Sequence, residues 1–312
     1  MGRQYRQFKA IQIAAQLLPR RVMYWIGDAV ARLFFAWDGR ARSSVTGNLR
    51  RIYAFNRRRS AAPEINRLAL AVFRGLAWNF IDFFHFKRIS PAACRRLFTT
   101  DGLHHLDEAL AFKKGVIMTS GHIGAFEMGA LIVTANGHRP SQIVRPWEDS
   151  RANALFAQQR ARRGVDVIHL GNAAGGSLRA LRKGGIVAIL GDIDYTQRDD
   201  RTLFMGAEAR LPLGPARLSI KTGAPVVPFF VLRRPDRRYA IRFCEPIVPT
   251  SSSTLEGVRL QIVKVLEEGI RKNPEQWILF FDFWDCELSL ELARKGFAVL
   301  VQSGRKRDLT AV

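Results

Sequence analysis

The sequence predicts an α/β fold, a mostly parallel central sheet flanked by helices and preceded by an all-helical region. Three observations predict it. From about Leu97 to Lys272, short β-branched or apolar runs alternate with helical segments, the pattern of βαβ crossovers. Before that, residues 1–90 show helical periodicity and many aromatic residues, with no strand signal. The chain has 312 residues, 47% of them hydrophobic, which allows a large core and argues against intrinsic disorder.

The elements follow in order. Arg21 to Trp37 reads RVMYWIGDAVARLFFAW, interrupted mainly by Asp28 and Arg32, which stand at i,i+4 and are placed to pair. A spanning helix needs about 20 apolar residues without such a stripe. The segment therefore fits an in-plane interfacial helix best, with a buried core helix and a true span as alternatives. Arg20, Arg21, Arg40, Arg42 and the run Arg57-Arg58-Arg59 surround it. Pro63 to Phe86 is a second amphipathic stretch carrying Trp78, Phe80, Phe83, Phe84 and Phe86. Such a stripe is core packing first, and a contact for lipid or an acyl chain second.

Strands are expected at Gly115–Thr119, Gln142–Arg145, Val165–His169, Ile186–Leu190, Pro225–Leu232 and Tyr239–Phe243. Helices are expected at Ala125–Asn136, Arg151–Arg163, Ser177–Lys183, Gly214–Thr222 and Thr254–Lys272, with a long loop after Leu190. This divides the chain into helices over 1–90, an α/β unit over 91–302 and a frayed basic tail over 303–312 containing Arg305-Lys306-Arg307.

Lys and Arg number 49 against 27 Asp and Glu, a formal charge of +22 that calls for a polyanionic partner. A nucleic-acid binder should show a groove-reading helix, zinc fingers or an RNP-type strand, and none is legible. Basic residues beside Trp- and Phe-rich helices fit an anionic membrane surface instead. Cys94, Cys244 and Cys286 are far apart, without metal-ligand spacing, and fit buried residues in a reducing compartment. The basic N-terminus lacks an apolar core with a cleavage site, so no cleaved signal peptide is expected.

The chemistry concentrates after the first strand of the α/β unit. Ligands gather at the carboxyl ends of parallel strands, and Ser120-Gly121-His122 occupies that position. An imidazole there is a natural general base. Glu127 follows five residues later, about 140° around a continuous helix. The two side chains meet only if His122 lies in the turn before the helix and Glu127 in its first turns. Glu127 would then accept the other imidazole N–H and fix the tautomer. Ser120 lacks a G-x-S-x-G elbow and is not read as a nucleophile.

His122-x4-Glu127 after a hydrophobic strand resembles the HX4(D/E) signature of the lysophospholipid acyltransferase superfamily. More specifically, the chain resembles the bacterial lipid A biosynthesis late acyltransferases and the related phosphatidylinositol-mannoside acyltransferases. The resemblance spans roughly Arg42 to Trp284. It is carried by Asn48-Leu49 with Phe73-Arg74, by Arg145-Pro146, by Gly191-Asp192-Ile193-Asp194-Tyr195 and by Phe204-Met205-Gly206. Pro212-Leu213-Gly214-Pro215-Ala216, Thr222-Gly223-Ala224-Pro225-Val226-Val227-Pro228 and Pro274-Glu275-Gln276-Trp277 complete it.

The resemblance implies a glycerol-phosphate acyltransferase-like fold at the cytoplasmic face of an inner membrane, peripheral or monotopic. It implies transfer of a fatty acyl group from an acyl-carrier-protein or coenzyme A thioester to a hydroxyl of a membrane lipid, such as a lipid A precursor. His122 would deprotonate the acceptor and Glu127 orient His122, with no covalent acyl-enzyme, metal or cofactor. The acyl chain is expected in an apolar groove partly lined from Trp78 to Phe86. Arg145, Asp192, Asp194 and Gly214 are the expected substrate-binding residues. Arg145 would meet a phosphate or polarise the carbonyl, and the two aspartates would shape the acceptor pocket. Gly214 would relieve crowding at a helix start, or cradle a phosphate. Another lipid acceptor is the nearest alternative. A glycosyltransferase using Asp192-x-Asp194 to hold a metal, and a non-catalytic basic binding protein, are readings from other classes.

Overall fold

The computed structural model describes residues 2–58, 61–86, 90–196 and 200–287. The basic tail over 303–312 and Arg59 of the basic run lie outside the described residues. Four helices open the chain: α1 (Arg3–Leu17), α2 (Arg20–Trp37), α3 (Gly39–Phe55) and α4 (Ala62–His85). Pro19 stands immediately before α2 and Pro63 in the first turn of α4, where a missing N–H costs nothing. Asp38 closes α2 and caps α3, accepting from the Ala41 N–H at 2.8 Å.

Helix α4 is the hub of this region. Ile65, Leu68, Val72 and Phe73 pack against Val45 and Leu49 of α3 and against Ile278 and Phe280. Ile81, Phe83 and Phe84 pack with Met23 and Tyr24 of α2 and with Phe156. Gly27 brings α2 close to α4, since a Cβ there would lie 2.7 Å from the Ile81 side chain. The buried stripe Met23, Tyr24, Gly27 and Ala31 leaves Trp25, Leu33 and Trp37 on the opposite side, 73%, 71% and 77% exposed. Asp28 does not turn to Arg32 as expected. It sits at the edge of the α2–α4 seam, 3.9 Å from Arg74, while Arg32 is exposed. Among the described residues no helix is long and apolar enough to cross a membrane, so the spanning alternative for α2 falls.

The α/β unit runs α5 (Pro91–Leu97), β1 (Phe98–Asp101), α6 (Leu103–Ala111), β2 (Val116–Ser120), α7 (Gly129–Ala135) and β3 (Ser141–Val144). It continues with α8 (Ser150–Arg162), β4 (Asp166–His169), α9 (Ala173–Arg182), β5 (Ile186–Leu190), β6 (Arg201–Phe204) and β7 (Ala207–Arg210). Helix α10 (Gly214–Thr222), β8 (Val226–Arg233), β9 (Tyr239–Phe243) and α11 (Leu255–Lys272) complete it. Seven strands form one sheet in the order β1-β9-β8-β2-β5-β3-β4. All neighbours are parallel except β8 and β9. Strand β2, buried at every position, lies at the centre between β5 and β8. Its continuous apolar run is what burial on both faces demands. Ile117 faces a core with Leu181, Leu218 and Leu266 from α9, α10 and α11, while Val116 and Met118 face Leu106 and Leu131 from α6 and α7.

Departures from the sequence-based expectation are local, and β1 is a strand that was not expected. The turn after β8 is too short for a crossover helix, so β9 returns antiparallel to it. The expected long loop after Leu190 contains the hairpin β6–β7, turned by Met205 and Gly206 at φ 49° and 74°.

Candidate active site

Parallel register places the site. Ser120, the last residue of β2, pairs with Leu190, the last residue of β5. The chain leaving β2 through Gly121-His122 and the chain leaving β5 through Gly191-Asp192 therefore emerge side by side. The Asp192 carboxylate meets His122 twice: one oxygen accepts from the His122 backbone N–H at 2.7 Å, and the other lies 2.7 Å from Nδ1. Trp277 donates its indole N–H to the same carboxylate at 3.0 Å. Asp192 is fully buried, which by itself would raise its pKa. The charge of His122 and the donated hydrogen bonds outweigh that and hold the carboxyl below the usual range. A carboxylate can only accept, so Nδ1 carries the proton and Nε2 the lone pair of the neutral ring.

The backbone from His122 to Glu127 is held at almost every step. Ile278 N–H donates to the His122 carbonyl at 2.8 Å, Gly124 N–H donates to the Gln276 carbonyl at 2.8 Å, and Ala125 N–H to the Val231 carbonyl at 2.7 Å. Gly124 adopts φ +61°, and a Cβ there would collide with the Val231 carbonyl oxygen. A 3-10 turn, Phe126–Met128, then leads into α7. His122 thus lies in the turn after β2 and Glu127 in the 3-10 turn, ahead of α7, which starts at Gly129 rather than at Ala125 as expected.

Their expected pairing is corrected. The partner on Nδ1 is Asp192, whereas the Glu127 carboxylate meets Arg160 of α8 at 2.6 Å and the Gln142 amide at 3.5 Å. Arg163 also reaches the Glu127 carbonyl at 3.4 Å. The 3-10 turn directs Glu127 toward α8, where two arginines await its charge.

The other expected residues separate. Both oxygens of Asp192 are engaged by protein groups, His122 and Trp277. Asp194 is also buried: it accepts from the Thr196 N–H and hydroxyl at 2.8 and 3.0 Å and from Arg210 at 3.1 Å. Burial raises its pKa above the ordinary value, while Thr196 and Arg210 oppose the rise. With both carboxylates engaged by protein groups, the metal-holding Asp-x-Asp reading is set aside. Gly214 opens α10 at the surface, where an added Cβ would meet nothing within 4 Å, so it relieves no crowding. Arg145 follows β3 with its guanidinium 5.0 Å from the centre of the Tyr195 ring. Burial and nearby Asp192 push the Tyr195 hydroxyl well up, while Arg145 opposes them.

The aromatic stripe from Trp78 is core rather than a groove. Trp78 stacks on Tyr24, and Phe83 stacks on Phe156 with centroids 5.0 Å apart. The apolar cavity near the site lies elsewhere, between the sheet and α7. Met118, Phe126, Ala130, Val133, Ile189 and Leu190 are among its walls. Phe126 bridges cavity and base, its ring edge-on to His122 at 5.2 Å between centroids.

Sequence reasoning missed the supporting residues Asn79, Arg160, Arg163 and Gln276. For Asn79 the available signal was one amide inside an apolar helical stripe; for Gln276 it was the Pro-Glu-Gln-Trp block.

The family model described as bacterial lipid A biosynthesis acyltransferase matches residues 8–285. The chain is 23% identical over 195 residues to a phosphatidylinositol mannoside acyltransferase of Mycobacterium tuberculosis, and the match covers 60% of each chain. The chain thus spans about three-fifths of the length of that relative. It is 23% identical over 279 residues to the lipid A biosynthesis lauroyltransferase of Escherichia coli, covering 84% of each. A palmitoleoyltransferase of lipid A biosynthesis from the same organism is 22% identical, again over 84% of each. With a match that runs through the four helices, the sheet and the Asp192–His122 site, the chain belongs to the bacterial lipid A biosynthesis acyltransferase family.

Proposed function

We propose that this protein is an acyltransferase that moves a fatty acyl group from a thioester, on acyl-carrier protein or coenzyme A, to a hydroxyl of a membrane lipid, with His122 as general base. The observation that carries this reading is the bond from His122 Nδ1 to buried Asp192. It makes Nε2 the basic nitrogen and stabilises the imidazolium that forms. In the reaction Nε2 takes the acceptor O–H proton as oxygen attacks the thioester carbonyl. The tetrahedral intermediate then expels the thiolate, which recovers the proton from the imidazolium. The acyl group passes directly, with no covalent acyl-enzyme.

Glu127 acts one step behind the base. Its pair with Arg160 fixes the 3-10 turn that carries Phe126 against His122. Arg145, which follows β3 beside β5, would meet an anionic headgroup or the developing oxyanion. The cavity beside Phe126 is suited to the start of an acyl chain. The exposed face of α2, with Trp25, Leu33 and Trp37 beside Arg21 and Arg32 and with exposed Arg40 at the start of α3, supports an in-plane seat on an anionic membrane, which we place at the cytoplasmic face of the inner membrane. A lipid A precursor is the acceptor the family favours.

The experiment is mass spectrometry of total lipids from cells carrying the wild type, His122→Ala or no copy. The expected result is one acylated species lost in both of the latter. A His122→Ala strain with an unchanged lipid profile, at normal protein level, overturns the assignment of the base; removal of a general base should cost about 10²–10⁴ in rate.

A further inference from the structure

The turn from His122 to Glu127 is tied to helices α4 and α2 by a buried polar chain that the acyl-transfer chemistry does not itself require. Asn79 of α4 donates its side-chain N–H to the Gly124 carbonyl at 2.8 Å, midway between the base and Glu127. The Asn79 side-chain oxygen accepts from Arg233 at 3.0 Å. Arg233 in turn donates to Asp82 at 2.6 Å and to the Tyr24 hydroxyl at 2.8 Å. Tyr24 donates to Asp82, and Arg20 reaches both Asp82 and Tyr24.

Burying a carboxylate as fully as Asp82 is costly unless it is paired, and an Asn amide inside an apolar stripe is costly unless both ends are used. Here every partner is supplied, and the chain ends on the carbonyl of Gly124, the residue in this turn with a positive φ. Arg20 and Tyr24 lie on α2, whose other side presents Trp25, Leu33 and Trp37. The chain therefore runs from the helix proposed to rest on lipid to the turn that aims His122.

We infer that Asn79 is a positioning residue for the catalytic turn, held in its rotamer by Arg233 and, through Asp82 and Tyr24, by α2. The inference rests on the reading of His122 as the base. Asn79→Asp tests it, because this variant keeps the shape and gains charge complementarity with Arg233 but has no N–H for Gly124. It is compared with wild type and His122→Ala, using radiolabelled lauroyl-coenzyme A and total bacterial lipid in detergent micelles as probes. The His122 Nδ1–H proton signal is followed by NMR without substrate.

The expected result for Asn79→Asp is a kcat lower by about 10–100-fold, the loss that a misplaced reacting group produces. KM for the thioester stays within about twofold, and the Nδ1–H signal shifts or broadens at temperatures well below unfolding. A purely structural Asn79 would lower the melting temperature and leave the signal and kcat of the folded fraction alone. Should Asn79→Asp not fold, Asn79→Leu, neutral and of similar size, is judged by the same measurements. Wild-type kcat and an unmoved signal, with His122→Ala inactive, overturn the positioning role alone. Full activity in His122→Ala overturns the reading of the base on which it rests.

Discussion

Asp192 grips His122 at two points, the backbone N–H and Nδ1, each at 2.7 Å, so one carboxylate fixes both where the base sits and which nitrogen is basic. Asp192→Asn preserves the shape but removes the charge and permits the wrong tautomer. The expected loss is about 10³–10⁴ in kcat, measured as steady-state acyl transfer with the melting temperature as a control. An Asn variant with more than a tenth of wild-type turnover would remove Asp192 from the mechanism.

Gly124 cannot accept a side chain without moving the base. Its positive φ and the Val231 carbonyl oxygen, which lies where a Cβ would go, act together. Gly124→Ala should destabilise by at least roughly 1–3 kcal/mol and should lower kcat more than thermal stability alone explains. Calorimetry and kinetics on the same preparation decide it; an alanine variant with wild-type melting and turnover contradicts the geometry.

Glu127 and Arg160 should behave as one unit. Glu127→Gln and Arg160→Met each strand a largely buried charge, so each is expected to cost several kcal/mol, on the order of 3–5. The double variant should be no worse than either single change. A double-mutant cycle in urea measures this, and simple additivity of the two losses would show that the pair is not coupled.

Stability should fall in acid through Asp82 and Asp192. Burial alone would raise both pKa values; at Asp82 the charges of Arg233 and Arg20 overcome it, and at Asp192 the charge of His122 does. Both folded-state values therefore lie below the unfolded value of about 3.9. Their contribution is present above that value and is lost as pH falls through the depressed folded-state values. The melting temperature should drop steeply below about pH 4. Asp82→Asn should flatten that drop while lowering stability at neutral pH. A profile below pH 4 identical to wild type would show that Asp82 does not titrate with unfolding.

The exposed face of α2 should govern lipid binding. Trp25→Ser combined with Trp37→Ser removes two large side chains that are 73% and 77% exposed, so the fold loses little. Partition to anionic vesicles should weaken by about tenfold or more, the equivalent of about 1.4 kcal/mol. Added salt should weaken the remaining binding. Vesicle co-sedimentation provides the measurement; unchanged partition with an unchanged melting temperature would place the membrane seat elsewhere.

The sequence alone carried the element types over most of the sheet, because β2 and β8 are apolar runs buried on both sides and the helices between strands have clear apolar periodicity. It carried the location of His122 at a strand end, but not its partner, because the pairing expected with Glu127 is made by Asp192 instead. It also carried the class of chemistry, through ordered blocks from Asn48 to Trp277. It did not carry which strands are neighbours. β2 lies beside β5, although β3 and β4 intervene in the chain, so Asp192 becomes the partner of His122 only through sheet order. Glu127 goes to Arg160 because the 3-10 turn faces α8, and Asn79 reaches Gly124 because α4 packs against that same 3-10 turn. Local propensity and periodicity act within a few residues, whereas the roles of Asp192, Arg160 and Asn79 depend on contacts between distant segments, fixed by strand register and helix packing.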